Sequence, residues 1–100
     1  PGFRNVDAAG VMRFPGFALA AARFIAEDKG ALALAVDTLS LDPGRSTDLP
    51  VHRFWLPSGR YGLECVADLD RVPARGATLV VGAPKIVGAS GGPCRLLAIT

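Results

Sequence analysis

His52 and Glu64 are the residues whose types and spacing could do chemistry: the chain's only histidine and, twelve positions on, a glutamate inside an apolar run. Both belong to the stretch DLPVHRFWLPSGRYGLE, from Asp48 to Glu64. A carboxylate among apolar residues is costly to bury unless it is paired, protonated or bound to a metal. Imidazole and carboxylate together suit a divalent transition metal. Two ligands do not complete a catalytic site, since zinc in such sites takes about three protein ligands and a water. The residue types alone leave plainer readings open: a hydrogen-bonded or surface histidine, and a glutamate salt-bridged to Arg53 or Arg60.

The elements that must position this pair follow from local pattern. Asp48, Leu49 and Pro50 read as a helix start, with Asp48 at the N-cap and the proline in the first turn. His52 then falls one turn into a short helix that Pro57, Ser58 and Gly59 stop. From Arg60 the pattern is extended. Tyr61, Leu63 and Cys65 share one face and Gly62, Glu64 and Val66 the other, which aims Glu64 off a strand into the interior. Upstream, Phe17 to Lys29 is predicted helical, with Phe17, Ala20, Ala21, Phe24 and Ile25 as the stripe that faces the core, packed against a sheet. Gly30 caps it, and Lys29 suits its C-terminal dipole. Ala31 to Val36 is apolar on both faces, which predicts a buried central strand. Asp37, Thr38, Ser40 and Asp42 follow that strand. Asp37 or Asp42 is placed either to bind a ligand or orient His52, or simply to cap the DPG turn.

Elsewhere, Pro1 to Gly16 reads as a loop pinned by Val11, Met12 and Phe14. Asp68 to Val72 is a helical turn and Pro73 to Gly76 a loop. Thr78 to Val81 is a second two-sided apolar strand, which Lys85 to Val87 continues after a bend at Pro84, and Cys94 to Ile99 is a third. Gly88 to Pro93, GASGGP, is a loop whose N–H groups could receive an oxyanion or carboxylate, or which merely connects strands. Arg95 is a candidate for binding a substrate carboxylate, or for a sheet-edge salt bridge.

Several of these stretches carry a family resemblance. DTLSLDPG from Asp37, LPVH ending at His52 with Glu64 beyond it, VPARGATLVVG from Val72 and GASGGPCR from Gly88 occur in order between Gly30 and Ile99. That run resembles the C-terminal part of the cyclase family of metal-dependent hydrolases, the family of bacterial kynurenine formamidase and isatin hydrolase. FPGFALAAARF, from Phe14 to Phe24, is similar to the segment that precedes them. The resemblance implies an α/β chain with a swivelling β/β/α fold, in which residues 1–100 are the C-terminal portion of a single domain. It implies a C–N amide bond, in a formamide or a cyclic amide, cleaved by metal-activated water. His52 is similar to the later metal-binding histidine and Glu64 to the later, often bridging, glutamate, the metal being zinc or manganese. The family's early His-x-Gly-Thr-His-x-Asp-x-Pro-x-His motif, with the remaining ligands and the acid/base histidine, is absent from these residues. No catalytic residue is therefore assigned, and a partner is implied: the N-terminal half or a companion chain, within a homo-oligomer. Cys65 departs from the asparagine that relatives often carry after the glutamate. The competing expectation is a truncated, non-catalytic subunit or interaction module that keeps the fold.

Composition agrees with part of an enzyme. One hundred residues, 50% apolar and 20% charged, are more apolar than an average soluble domain, which suggests a surface covered from outside. The charge of +2 is dispersed without basic runs, so nucleic acid is not expected. No apolar stretch reaches the roughly 18 residues of a membrane span. Cys65 and Cys94 are too few and too far apart for a disulfide framework, and read as buried or free thiols in the cytoplasm.

Overall fold

The computed structural model describes residues 5–100, in a first unit that runs to Ala67 and a second, Asp68–Thr100. The first four positions of the predicted N-terminal loop lie outside the described residues. From Asn5 onward the loop is as expected, held by a bridge between Val6 and Met12 and by burial of Phe14.

The first unit contains helix α1 (Leu19–Glu27), strand β1 (Ala33–Ala35), helix α2 (Pro50–Trp55), a 3-10 turn (Leu56–Ser58) and strand β2 (Tyr61–Leu63). β1 and β2 are parallel, Ala33 opposite Tyr61 and Ala35 opposite Leu63. Parallel strands need a crossover, and this one carries α2. The core is Ala22 and Ala26 of α1, Leu34 of β1, Leu41 of the crossover, and Val51 and Trp55 of α2. The Trp55 indole N–H donates to the Tyr61 carbonyl at 2.9 Å, which ties α2 to the start of β2.

Two expectations change here. α1 packs on α2 through Ala22 and Ala26, whereas Phe24, assigned to the core stripe, is 51% exposed. Alanines at 20, 21 and 22 give the helix two apolar faces, and the one with only methyl groups lets α1 come close to Trp55. β1 is not central, because among the described residues it is paired on one side only, and Leu32 beside it is exposed. Gly30 does terminate α1 as expected: its left-handed φ of 64° turns the chain so that the Ala31 N–H reaches the Ile25 carbonyl.

The second unit has a 3-10 turn (Leu69–Arg71) and an antiparallel pair, β3 (Thr78–Gly82) and β4 (Arg95–Ile99), in register from Thr78 opposite Ile99 to Gly82 opposite Arg95. β3 is apolar on both faces as predicted but not buried, since Leu79, Val80 and, across the ladder, Leu97 are all about half exposed. Lys85 to Val87 does not extend it. Pro84 has no N–H for the ladder, and Ile86 to Ala89 forms a turn instead. Among the described residues no helix is long and apolar enough to cross a membrane.

Candidate metal centre

The site is built on two turns laced to each other. The Phe17 N–H donates to the Leu41 carbonyl at 2.8 Å and the Gly44 N–H to the Phe14 carbonyl at 2.9 Å, so FPGF holds LDPG in place. Gly16 lies so close that a Cβ there would stand 2.3 Å from the Asp42 carbonyl carbon. Only glycine permits that approach. Within the turn, the Thr38 hydroxyl donates to the Ser40 carbonyl and the Asp42 N–H to the Ser40 hydroxyl oxygen, local bonds that stop β1 from continuing.

Asp42, fully buried by these contacts, starts α2. Its Oδ1 accepts the Val51 N–H at 2.8 Å and its Oδ2 the His52 N–H at 3.0 Å. The predicted cap, Asp48, does not reach the helix. Leu49 precedes it in the left-handed region, at φ 47°, with no side-chain cap of its own, and its N–H is taken by Ser46. Asp42 Oδ2 also lies 2.7 Å from His52 Nδ1. Burial pushes the Asp42 carboxyl up, but hydrogen bonds from the His52 ring and from the His52 and Val51 N–H groups pull it down by more, below the ordinary value of 3.8.

The other ring nitrogen of His52, Nε2, is 3.0 Å from Glu64 Oε1, and the same oxygen accepts the Leu41 N–H at 3.1 Å. Glu64 is therefore not the salt-bridge partner of Arg53 or Arg60. Arg60 donates instead to the carbonyls of Ala31, Ala26 and Ser58, with its guanidinium over the Trp55 ring. Nor does Glu64 enter the interior: its side chain is 35% exposed and that of His52 24%, so both can be reached from solvent. β2 ends at Leu63, and just past Glu64 the chain turns at Cys65, which adopts a left-handed φ of 57°. The Cys65 N–H then bonds to the Thr38 carbonyl and the Val66 N–H to the Val36 carbonyl.

The pair fits a metal as two ligands of a set. A ring nitrogen and a carboxylate oxygen 3.0 Å apart have the separation of two ligands at roughly a right angle about one ion with bonds of about 2.0–2.2 Å, and equally that of a hydrogen bond. Among the described residues no group of three or more His, Cys, Asp or Glu side chains could hold a metal on its own. Asp37, the alternative to Asp42, is exposed and takes no part. Arg95 and the GASGGP loop belong to the second unit, where the loop and Pro84 line a cleft of about 190 Å³. A larger cleft of about 500 Å³ runs between α1 and α2 past Arg23, Arg53 and Phe54, and includes neither His52 nor Glu64. Both cysteines are free and exposed rather than buried. The contact missed in the sequence is the Leu41 N–H on Glu64; a backbone donor leaves no mark in residue type.

No family model matches the chain. Among curated proteins, isatin hydrolase of Roseibium aggregatum is 36% identical over 56 residues, 56% of this chain and 21% of that protein. Among solved structures, isatin hydrolase A from Labrenzia aggregata bound to benzyl benzoate superposes with a TM-score of 0.88 at 33% identity, over 96% of this chain and 39% of that one. Isatin hydrolase A from Ralstonia solanacearum gives the same TM-score at 32% identity, over 96% and 38%. The chain spans less than half the length of each of these relatives. The resemblance carried by the motifs thus holds in sequence and in fold: this is a mixed helix and strand chain that matches part of isatin hydrolase.

Proposed function

On the premise that this chain resembles the cyclase-family hydrolases in sequence and fold, we propose that it is part of a metal-dependent hydrolase that cleaves a C–N amide bond in a formamide or a cyclic amide. The observation that carries the reading is the approach of His52 Nε2 to Glu64 Oε1 at 3.0 Å. A bound divalent ion, zinc or manganese, would polarise the amide carbonyl and acidify a water so that it attacks near neutral pH. His52 and Glu64 hold that ion. Asp42 and the Leu41 N–H keep the two side chains turned toward each other.

In this reading residues 1–100 are the C-terminal portion of a swivelling β/β/α domain. The remaining ligands and the acid/base histidine come from the N-terminal half or a companion chain, in a homo-oligomer. Exposed Leu79, Val80 and Leu97 support a surface covered from outside, since an isolated two-stranded hairpin is marginal in water. Two free thiols suit a reducing, cytoplasmic setting. The alternative, a non-catalytic subunit with the same fold, draws on the presence of only two of the ligands.

The test is hydrolysis of isatin and of an N-formyl aromatic amine by the assembled protein, with His52→Ala and Glu64→Ala beside the wild type. Turnover by the wild type that falls at least about a hundredfold in both variants is expected. Turnover retained in both removes the pair from the reaction, and no turnover of any amide favours the alternative.

A further inference from the structure

We propose that Asp42 is the positioning residue of this site: it holds the imidazole proton of His52 on Nδ1, and so leaves the Nε2 lone pair to face Glu64 and a cation placed there. Asp42 is fully buried, and its other bonds are the N–H groups of Val51 and His52. An ionised carboxylate has acceptors only. A neutral ring whose Nδ1 stands 2.7 Å from Oδ2 avoids setting two lone pairs against each other only by donating from Nδ1, and it then has no proton on Nε2. Nε2 and Glu64 Oε1, 3.0 Å apart, are in consequence two electron-pair donors aimed at one point, with the Leu41 N–H behind the oxygen. Such a pair repels unless it shares a positive charge, a proton or a metal ion.

Leu41 and Asp42 are consecutive, so one short length of backbone holds both arms, through an N–H on the carboxylate and a carboxylate on the imidazole. The same Asp42 side chain also starts α2, which makes the helix and the choice of ring nitrogen one event. The metal-facing half of the inference rests on the function proposed above. The tautomer half does not.

The test is 15N NMR of the imidazole in the metal-free protein, with His52 identified by the signals lost in His52→Gln, at a pH where the ring nitrogens themselves report the neutral form. The expected wild-type ring carries its proton on Nδ1. A proton on Nε2 overturns the proposal, and that reading needs no variant of Asp42 to fold. Asp42→Ala removes the acceptor that faces Nδ1 and leaves Glu64 Oε1, 3.0 Å from Nε2, as the acceptor at the ring. The proton is expected to move to Nε2, and Zn2+ binding, measured by competition with a chromophoric chelator, to weaken about 10–100-fold. An unmoved proton in Asp42→Ala overturns the proposal. A proton that moves while Zn2+ binding holds overturns the metal-facing half and the metal reading with it, and leaves the tautomer half standing.

Discussion

Asp42 and His52 stand ten positions apart and are joined twice, at 3.0 Å through the His52 backbone N–H and at 2.7 Å through its ring. The first bond is a helix cap supplied from a distant turn, and the second orients a side chain, so α2 cannot form natively without His52 being aimed. Asp42→Ala strands the Val51 and His52 N–H groups at a buried helix start and is expected to cost about 2–4 kcal/mol. Asp48→Ala, at the position that sequence pattern names as the cap, is expected to stay within about 0.5 kcal/mol. Urea unfolding midpoints of the two variants check the contrast.

Glycine positions should rank by what a methyl group meets. Gly16→Ala drives a Cβ into the Asp42 and Pro43 backbone at 2.3–2.4 Å, which cannot yield without moving the turn. A loss of at least about 2 kcal/mol is expected, with weaker metal binding. Gly62→Ala meets the end of the Leu41 side chain at 2.7 Å, which can rotate, and should cost about 1 kcal/mol. Gly91→Ala meets nothing within 4 Å and should be neutral. Equal effects at the three positions, in thermal or urea unfolding, would contradict this picture of the turn.

Cys65 carries a left-handed φ of 57°, a region that costs an ordinary residue roughly 1–2 kcal/mol and that asparagine visits readily. Cys65→Asn is therefore expected to raise stability by about 0.5–1 kcal/mol, and Cys65→Val to lower it, as read from unfolding midpoints.

What was legible in the sequence was local or chemical in kind. His52 on a short helix, Glu64 after a short strand, Gly30 as a cap and the Leu69 turn follow from residue types and their neighbours. Asp42 is one of two aspartates that the sequence offers as a partner for His52, and its residue type is the signal. What failed was partner identity at a distance. Asp48 has the composition of an N-cap, but the cap comes from Asp42 through the fold of the crossover. The α1 stripe holds at Phe17 and Ile25, which pack against the core, but misses Ala22 and Ala26 because consecutive alanines make periodicity ambiguous. β1 reads as central and β3 as buried because their residues are apolar on both faces, and apolarity reports what a strand could cover rather than what lies against it among these residues.

The loop from Asn5 to Arg13 gives a pH dependence separate from the site. The Val11 N–H, the Arg13 guanidinium and, less strongly, the Ala9 N–H hold the Asp7 carboxyl below its ordinary value against the opposing effect of burial. A lowered folded-state value means that the stabilisation is fully present above the unfolded carboxylate value of about 3.9 and is lost as pH falls through the lower folded value. Protection of the Ala9, Val11 and Arg13 amides should therefore be constant from about pH 7 to pH 5 and fall below about pH 4. Amide exchange or chemical shifts across that range check it, and Asp7→Asn should abolish the dependence.

Metal content of the assembled protein, measured by plasma mass spectrometry for wild type, His52→Ala and Glu64→Ala, tests most directly whether the two side chains share an ion. The wild type should retain zinc or manganese in stoichiometric amount, and each variant, folded by circular dichroism, should lose it by about tenfold or more. Equal metal in all three, or none in the wild type, would contradict the assignment of His52 and Glu64 as ligands.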